Sequence, residues 1–356
     1  MITTDTQNGG STHACSKQAA APPSAPRQIW LDALKGAAAI MVVMSHVGAL
    51  PAWGYYVTAC YIPLFFIASG YTFKIREHAI RQKFSALVTP YFGWALFYLL
   101  LIALRHTGGE PLLYRLLCGA GGVLYSRVAF YPLSSGNDYY LFPDGTTPMW
   151  FLTCMAASYL LAKPLFSFHG KRLIALVCVY LLLTALMTCM PVLLPWSIDT
   201  AFLGALLIIS GYLLKPYPFT SKCALLLVVI LLPVYILLVD VNGNINMSVR
   251  EYGKLGVLSI LLFYLISTGG TLIAAGLFRL TERFLIVKGI ALIGRSSLTI
   301  LCAHAFFVAL CKRFTPLFNA LPAEAVMPVF VVMVIGGCVL TDLAIKRVKV
   351  RVGRIR

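Results

Sequence analysis

Apolar runs, each about the length needed to cross a bilayer, alternate with short polar breaks along most of the chain. They fall approximately at residues 29–49, 55–73, 84–104, 147–166, 173–190, 195–214, 223–240, 253–278, 291–311 and 325–345. Proline punctuates several ends: Pro90 opens the third run, Pro148 the fourth and Pro195 the sixth, while Pro216 and Pro218 follow the sixth. The pattern predicts an all-α polytopic membrane protein with about ten transmembrane helices. Residues 1–26 are polar and rich in Pro, Ala and Ser with no apolar core, so they read as a disordered cytoplasmic tail rather than a signal peptide. Residues 27–346 form the expected transmembrane domain, and 347–356 a basic cytoplasmic tail. The long connection from Arg105 to Thr147 is expected to fold back over the outer mouth, with a short amphipathic piece around Leu112 to Leu117.

The first run breaks its own apolar pattern with Asp32, Lys35 and His46. Eleven helical steps of about 100° bring His46 back within about 20° of Lys35, about 16 Å further along the axis. Asp32, three residues before Lys35, falls close to the same face. Ionisable groups at membrane depth are costly, and by default they mark function.

Composition sharpens the class. Of 356 residues, 60% are hydrophobic and only 12% charged, which excludes an ordinary soluble domain. The net charge of +17 would suggest nucleic acid in a soluble chain, but its placement says otherwise. With both termini cytoplasmic, 21 of the 29 Lys and Arg residues fall on the inside, seven on the outside, and Lys35 within the first span. That is the positive-inside bias, and it accounts for the basic balance without a nucleic-acid partner. The ten cysteines are scattered singly, with no CxxC or Cys/His spacing, so no metal site is expected.

Topology turns position into depth. Lys35 lies in the inner half of its helix and His46 toward the outer end, where Trp150, Asp199 and His304 also arrive. A histidine there can act as a general base, and Asp199 could orient it. The plainer alternatives stay open: each histidine only bonds a neighbouring helix, and Trp150 is an interfacial anchor. The second run delivers Ser69 and Gly70 to the inner boundary, followed by Lys74, Arg76, Arg81 and Lys83. This basic cluster is either a phosphate-binding mouth or a topology signal. Gly269-Gly270 and Gly336-Gly337 read as helix-packing features.

Leu31-Asp32-Ala33-Leu34-Lys35-Gly36 leading to His46, then Pro63-Leu64-Phe65-Phe66 and Ser69-Gly70-Tyr71, resemble the opening of the acyltransferase-3 family of integral membrane acyltransferases. Pro90-Tyr91, Pro148-Met149-Trp150-Phe151-Leu152 and Gly294-Arg295-Ser296-Ser297-Leu298 through His304 are similar to its later signatures, especially in the branch that acetylates sugars of surface polysaccharides. The resemblance implies a multi-pass protein of the cell inner membrane that moves an acyl group, acetyl by preference, from cytoplasmic acyl-CoA to a sugar hydroxyl. The acceptor would be a surface polysaccharide or its lipid-linked precursor. On that reading His46, Lys35, Asp32, Asp199 and His304 serve catalysis. Ser69, Gly70, Lys74, Arg76, Arg81 and Lys83 receive acetyl-CoA, and Trp150 meets the acceptor. The family commonly has Arg where this chain has Lys35, which keeps the charge but loses the bidentate fork. Many relatives append an outer hydrolase-like domain, and no stretch of this sequence is expected to form one. Two rivals remain: a proton-coupled secondary transporter, against which stands the lack of paired interrupted helices, and a lipid-binding scaffold, against which stand three ionisable groups on one face.

Overall fold

A computed structural model describes residues 27–104, 111–127, 130–131, 149–217, 219–315 and 322–355. The expected tail over 1–26 and most of the connection between 105 and 147 lie outside them. The described residues form thirteen α-helices and no strand, with one isolated bridge, Asn246 to Glu251, closing the turn between two of them. Among the described residues eight helical segments are long and apolar enough to cross a membrane, which makes the protein an all-α polytopic membrane protein.

Two of the ten expected spans take other forms. The run at 55–73 divides into α2 (Gly54–Thr58) and α3 (Tyr61–Thr72), broken at Ala59 and Cys60. Pro63 explains the restart: it sits in the first turn of α3, where its missing N–H leaves no helical bond unmade. Twelve residues rise only about 18 Å, so α3 does not span the apolar layer by itself. The run at 147–166 forms α6 (Trp150–Ser167), whose length is marginal and whose composition is more polar.

Other boundaries also move. Helix α4 (Ala79–Leu104) begins well before Pro90, which lies inside it rather than opening it. Membrane helices tolerate such a proline because neighbouring groups satisfy the freed carbonyl. The amphipathic piece grows into α5 (Leu112–Tyr125), which runs back along α4. Gly119 lies under Leu99 and Ile102, and the Tyr91 hydroxyl donates to the Val123 carbonyl at 2.5 Å. The expected ninth span is cut at Arg295 and Ser296 into α11 (Leu285–Gly294) and α12 (Ser297–Phe314). The last helix, α13 (Ala323–Ile355), continues through the expected basic tail, since Lys and Arg are good helix formers and suit a helix C-terminus.

Burial sorts the helices. Most of α6 and of α8 (Ile198–Leu214) is buried, and these two with α3 and α1 (Ile29–Val47) form the centre. By contrast α7 (Gly170–Thr188) and α9 (Ser221–Asn242) bury few residues and leave rows of Leu, Ile and Val uncovered, as lipid-facing helices do. Two glycine pairs set the closest approaches. A Cβ on Gly70 would lie 1.9 Å from the Ile208 carbonyl oxygen, and one on Gly211 equally close to that of Ile67, so α3 and α8 touch backbone to backbone. Gly36 and Gly294 do the same for α1 and α11, meeting Ile290 and Asp32. Of the glycines expected at helix contacts, Gly270 packs on Tyr235 and Cys60 and Gly337 on Phe307, while Gly269 and Gly336 face open space.

Candidate functional site

Helix α1 stops one residue after His46, because Gly48 takes a left-handed conformation and returns its N–H to the Met44 carbonyl. The His46 ring folds back so that Nδ1 lies 2.9 Å from the Val42 carbonyl oxygen, and Ser45 Oγ lies 3.2 Å from the same nitrogen. On α12, His304 repeats the motif, with Nδ1 2.9 Å from the Ile300 carbonyl. A carbonyl can only accept, so each Nδ1 carries a proton, and in the neutral ring Nε2 is the nitrogen left with the lone pair. The two rings meet edge to face with centroids 4.7 Å apart. His304 is buried and its Nε2 has no partner among the described residues, whereas His46 is exposed.

Both histidines border a cavity of about 500 Å³. Its wall combines Tyr61, Trp150 and Phe151 with the polar groups of Thr58, Asn244, Asn246 and Ser248. Trp150 is therefore a buried part of this wall, held beside Phe151, and not an outlying anchor.

The structure does not gather all the expected charges around the histidines. Asp32 accepts from Arg27 Nε at 2.6 Å and lies 3.7 Å from Arg295 Nε, so it clamps α1 to the end of α11. Lys35 is half-buried in the field of Asp32 and Lys83, about 16 Å along the helix from His46. Asp199 departs further from expectation. It forms an ion pair with Arg127, lies 3.3 Å from Arg250 Nε, and accepts from the backbone N–H groups of Leu194 and Thr200. Both oxygens are thus engaged, and the His46 Nδ1 is already bonded to a carbonyl, so Asp199 does not orient that ring. Instead, Arg127 carries the connection to the cavity: its Nη1 donates to the Ser248 carbonyl at 2.7 Å.

The basic stretch after α3 separates into distinct roles. Arg76 and Arg81 line a cavity of about 650 Å³ together with His78, Lys163, Phe73 and Phe166. Arg81 and His78 also border a second cavity of about 790 Å³, with Gln82, Ser85 and Lys349. Phe84, on the first cavity, stacks near Trp196 at the start of α8 with ring centroids 6.2 Å apart, so this basic end reaches well along the bundle. Lys83 turns inward, 5.8 Å from the centre of the Tyr159 ring, whose hydroxyl is 2.6 Å from Ser69 Oγ. Two expectations change here. Gly70 leaves no room for a ligand, because the Ile208 backbone fills the space. Lys74 is exposed and borders neither of these cavities.

Sequence reasoning passed over Arg127, Arg250, Tyr159, Lys163, Lys349 and Asp342. Tyr159 and Lys163 lie on α6 beyond Trp150, and Arg127, Arg250 and Lys349 lie outside the motifs; none had a local signal that set it apart. Asp342 did have one, an acid inside the last apolar run. It accepts from Ser296 Oγ at 2.7 Å, Thr299 Oγ1 at 2.8 Å and Lys346 Nζ at 2.5 Å, fixing the break between α11 and α12.

A helical membrane bundle that presents a tautomer-fixed histidine pair to a polar cavity at one end, and basic cavities near the other, is equipped for proton transfer between substrates. The chain matches the acyltransferase-3 family, described as an acyltransferase domain, over residues 28–343, and it belongs to that family. It is a membrane acyltransferase. No curated protein and no solved structure matches it.

Proposed function

We propose that the protein is an O-acetyltransferase of the cell inner membrane, moving an acetyl group from cytoplasmic acetyl-CoA to a sugar hydroxyl of a surface polysaccharide or its lipid-linked precursor. The observation that carries this reading is the His46–His304 pair, with rings 4.7 Å apart, on a cavity lined by aromatic rings and amides. Such a lining suits a sugar, whose apolar faces stack on rings and whose hydroxyls bond to Asn and Ser groups. In the proposed step the acceptor hydroxyl gives its proton to His46 Nε2 while its oxygen attacks the thioester carbon. The C–S bond then breaks, and the proton passes to the departing thiolate.

The spacing of the charges supports the same donor. Phosphates suit Arg76, Arg81 and Lys163, with Lys35 and Lys83 further in. An extended chain gains about 1.2 Å per bond, so the roughly 13 bonds from the diphosphate to the sulfur of CoA reach about 16 Å. That equals the rise from Lys35 to His46. A phosphate held near Lys35 therefore leaves the thioester beside the histidines.

The test supplies labelled acetyl-CoA to membranes holding wild type or His46→Ala at equal abundance and follows label into polysaccharide. Transfer by wild type alone supports the proposal. Equal labelling by both removes His46 from the chemistry, and no transfer by either removes the donor or the acceptor.

A further inference from the structure

A further cavity, of about 250 Å³, lies between α1, α3, α9 and α10 (Leu258–Thr281), apart from the histidine cavity and the two basic ones. Its wall is almost entirely carbon. Trp30, Leu34, Ile67 and Ala275 are buried and line its depth, while Leu214 and Leu227 are half-buried and line its opening. Trp30 stands between Tyr71 and Phe219, with ring centroids 5.5 and 5.2 Å away. Thr271 offers little to water, because its hydroxyl is already given to the Ser267 carbonyl at 2.7 Å. A water molecule needs two to four polar partners, whereas an apolar void of roughly 150 Å³ already takes a six-carbon ring. This larger space therefore suits hydrocarbon.

The opening carries positive charge. Leu214, Tyr217, Phe219 and Cys223 all border the cavity, and the segment 212–223 that holds them contains Lys215 and Lys222 but no acid. Lys215 Nζ donates to the Phe73 carbonyl at 3.0 Å, which places it over the end of α3, beside Tyr71 of the wall. Lys222 is exposed at the start of α9, next to Cys223. Arg279 Nε donates to the Phe219 carbonyl at 3.1 Å. The acids close by in the chain are already engaged, Glu282 with Arg279 and Asp32 with Arg27. Basic pockets between membrane helices attract the headgroups of anionic lipids.

We infer that this cavity takes one acyl chain of an anionic phospholipid, whose phosphate meets Lys215 and Lys222. A zwitterionic lipid would fill the cavity but answer the lysines poorly, and a free phosphate would answer the lysines but leave the cavity empty. An anionic lipid does both. The bound chain braces the start of α1, which carries His46 near its other end, against α3, α9 and α10.

Tryptophan fluorescence of the full chain in lipid nanodiscs tests it, because Trp30 lines the cavity and bromine on a lipid chain quenches the indoles it touches. Phosphatidylglycerol and phosphatidylcholine, each brominated on one chain, are the probes. The share of Trp30 is the quenching that disappears in Trp30→Phe, which keeps an aromatic ring. A lysine beside an anionic headgroup is worth about fivefold in affinity, so two should lower the lipid fraction for half-quenching of Trp30 at least about tenfold for phosphatidylglycerol relative to phosphatidylcholine. Lys215→Gln with Lys222→Gln, both at exposed positions, should remove that difference. Ala275→Leu, which adds carbon to the cavity, should cut the quenching of Trp30 by both lipids; should it not fold, the lysine variant still decides. No quenching of Trp30 by either lipid, equal half-quenching fractions for the two, or a preference that survives the loss of both lysines overturns the site. None of these readouts depends on acetyl transfer.

Discussion

The two histidines share a backbone contact but differ in exposure, and that difference assigns them different work. His46 reaches the cavity, while His304 is buried against it with an unpartnered Nε2. His46→Gln should lower acetyl transfer by about 10²–10⁴-fold, the usual contribution of a general base. His304→Phe keeps the ring volume and removes the nitrogens, so kcat should fall at least about tenfold while the KM for acetyl-CoA holds. Full activity in that variant would reduce His304 to a packing group. Asp199 calls for a stability measurement instead. Asp199→Ala strands two buried guanidiniums and should cost about 3–5 kcal/mol, seen as a large loss of folded protein in detergent. Had Asp199 oriented His46, Asp199→Asn would lower kcat with the melting midpoint unchanged. The geometry predicts that the midpoint falls. The sequence made Asp199 visible as an anomaly but hid its partners, since Arg127 and Arg250 count only as outer-loop charges until the chain is folded.

At the scale of the helices, the short and broken elements control the architecture. The approach of α1 to α11 depends on Gly36 and Gly294, where an added Cβ would lie 2.1 Å and 1.8 Å from a carbonyl oxygen. Gly36→Leu should force those helices apart, cost at least about 3 kcal/mol and lower activity, because the same helix carries His46. Gly336→Leu, at a position with open space, should leave the melting midpoint within a degree or two of wild type and serves as the control. Hydropathy revealed most of the helices, because lipid-facing residues of α7, α9 and α13 keep long apolar runs intact. It missed the division of α2 from α3 and of α11 from α12, because each break lies inside a run that is apolar on both sides. It also read Gly70 as space for a ligand, when that space belongs to the α8 backbone. Periodicity reports which residues are apolar but not which backbone comes closest.

Across the whole molecule, the histidine cavity and the basic cavities lie on different parts of the bundle, joined by the length of α1 and the side chains around Tyr159. This separation predicts that donor and acceptor sites respond independently. Arg81→Glu places a negative charge on both basic cavities. It should raise the KM for acetyl-CoA at least about tenfold, from the loss of one charge-assisted contact of roughly 1.5–3 kcal/mol, while leaving acceptor KM unchanged. The two mouths should also open to opposite compartments. Ile75, on the basic cavity, and Asn244, at the histidine cavity, are both exposed, and neither handles the proton or the acyl group in the proposed step. In a background with the exposed Cys178 and Cys189 and the other cysteines replaced by serine, each can carry a single reporter thiol. A membrane-impermeant maleimide added to intact cells should label Asn244→Cys, and it should label Ile75→Cys only after the membrane is opened. Excess acetyl-CoA should then slow labelling at Ile75→Cys without affecting Asn244→Cys. Labelling of both thiols from the same side would make the path between the cavities a route within one compartment. The acyl group would then never cross the membrane, and the enzyme would acetylate its acceptor before export.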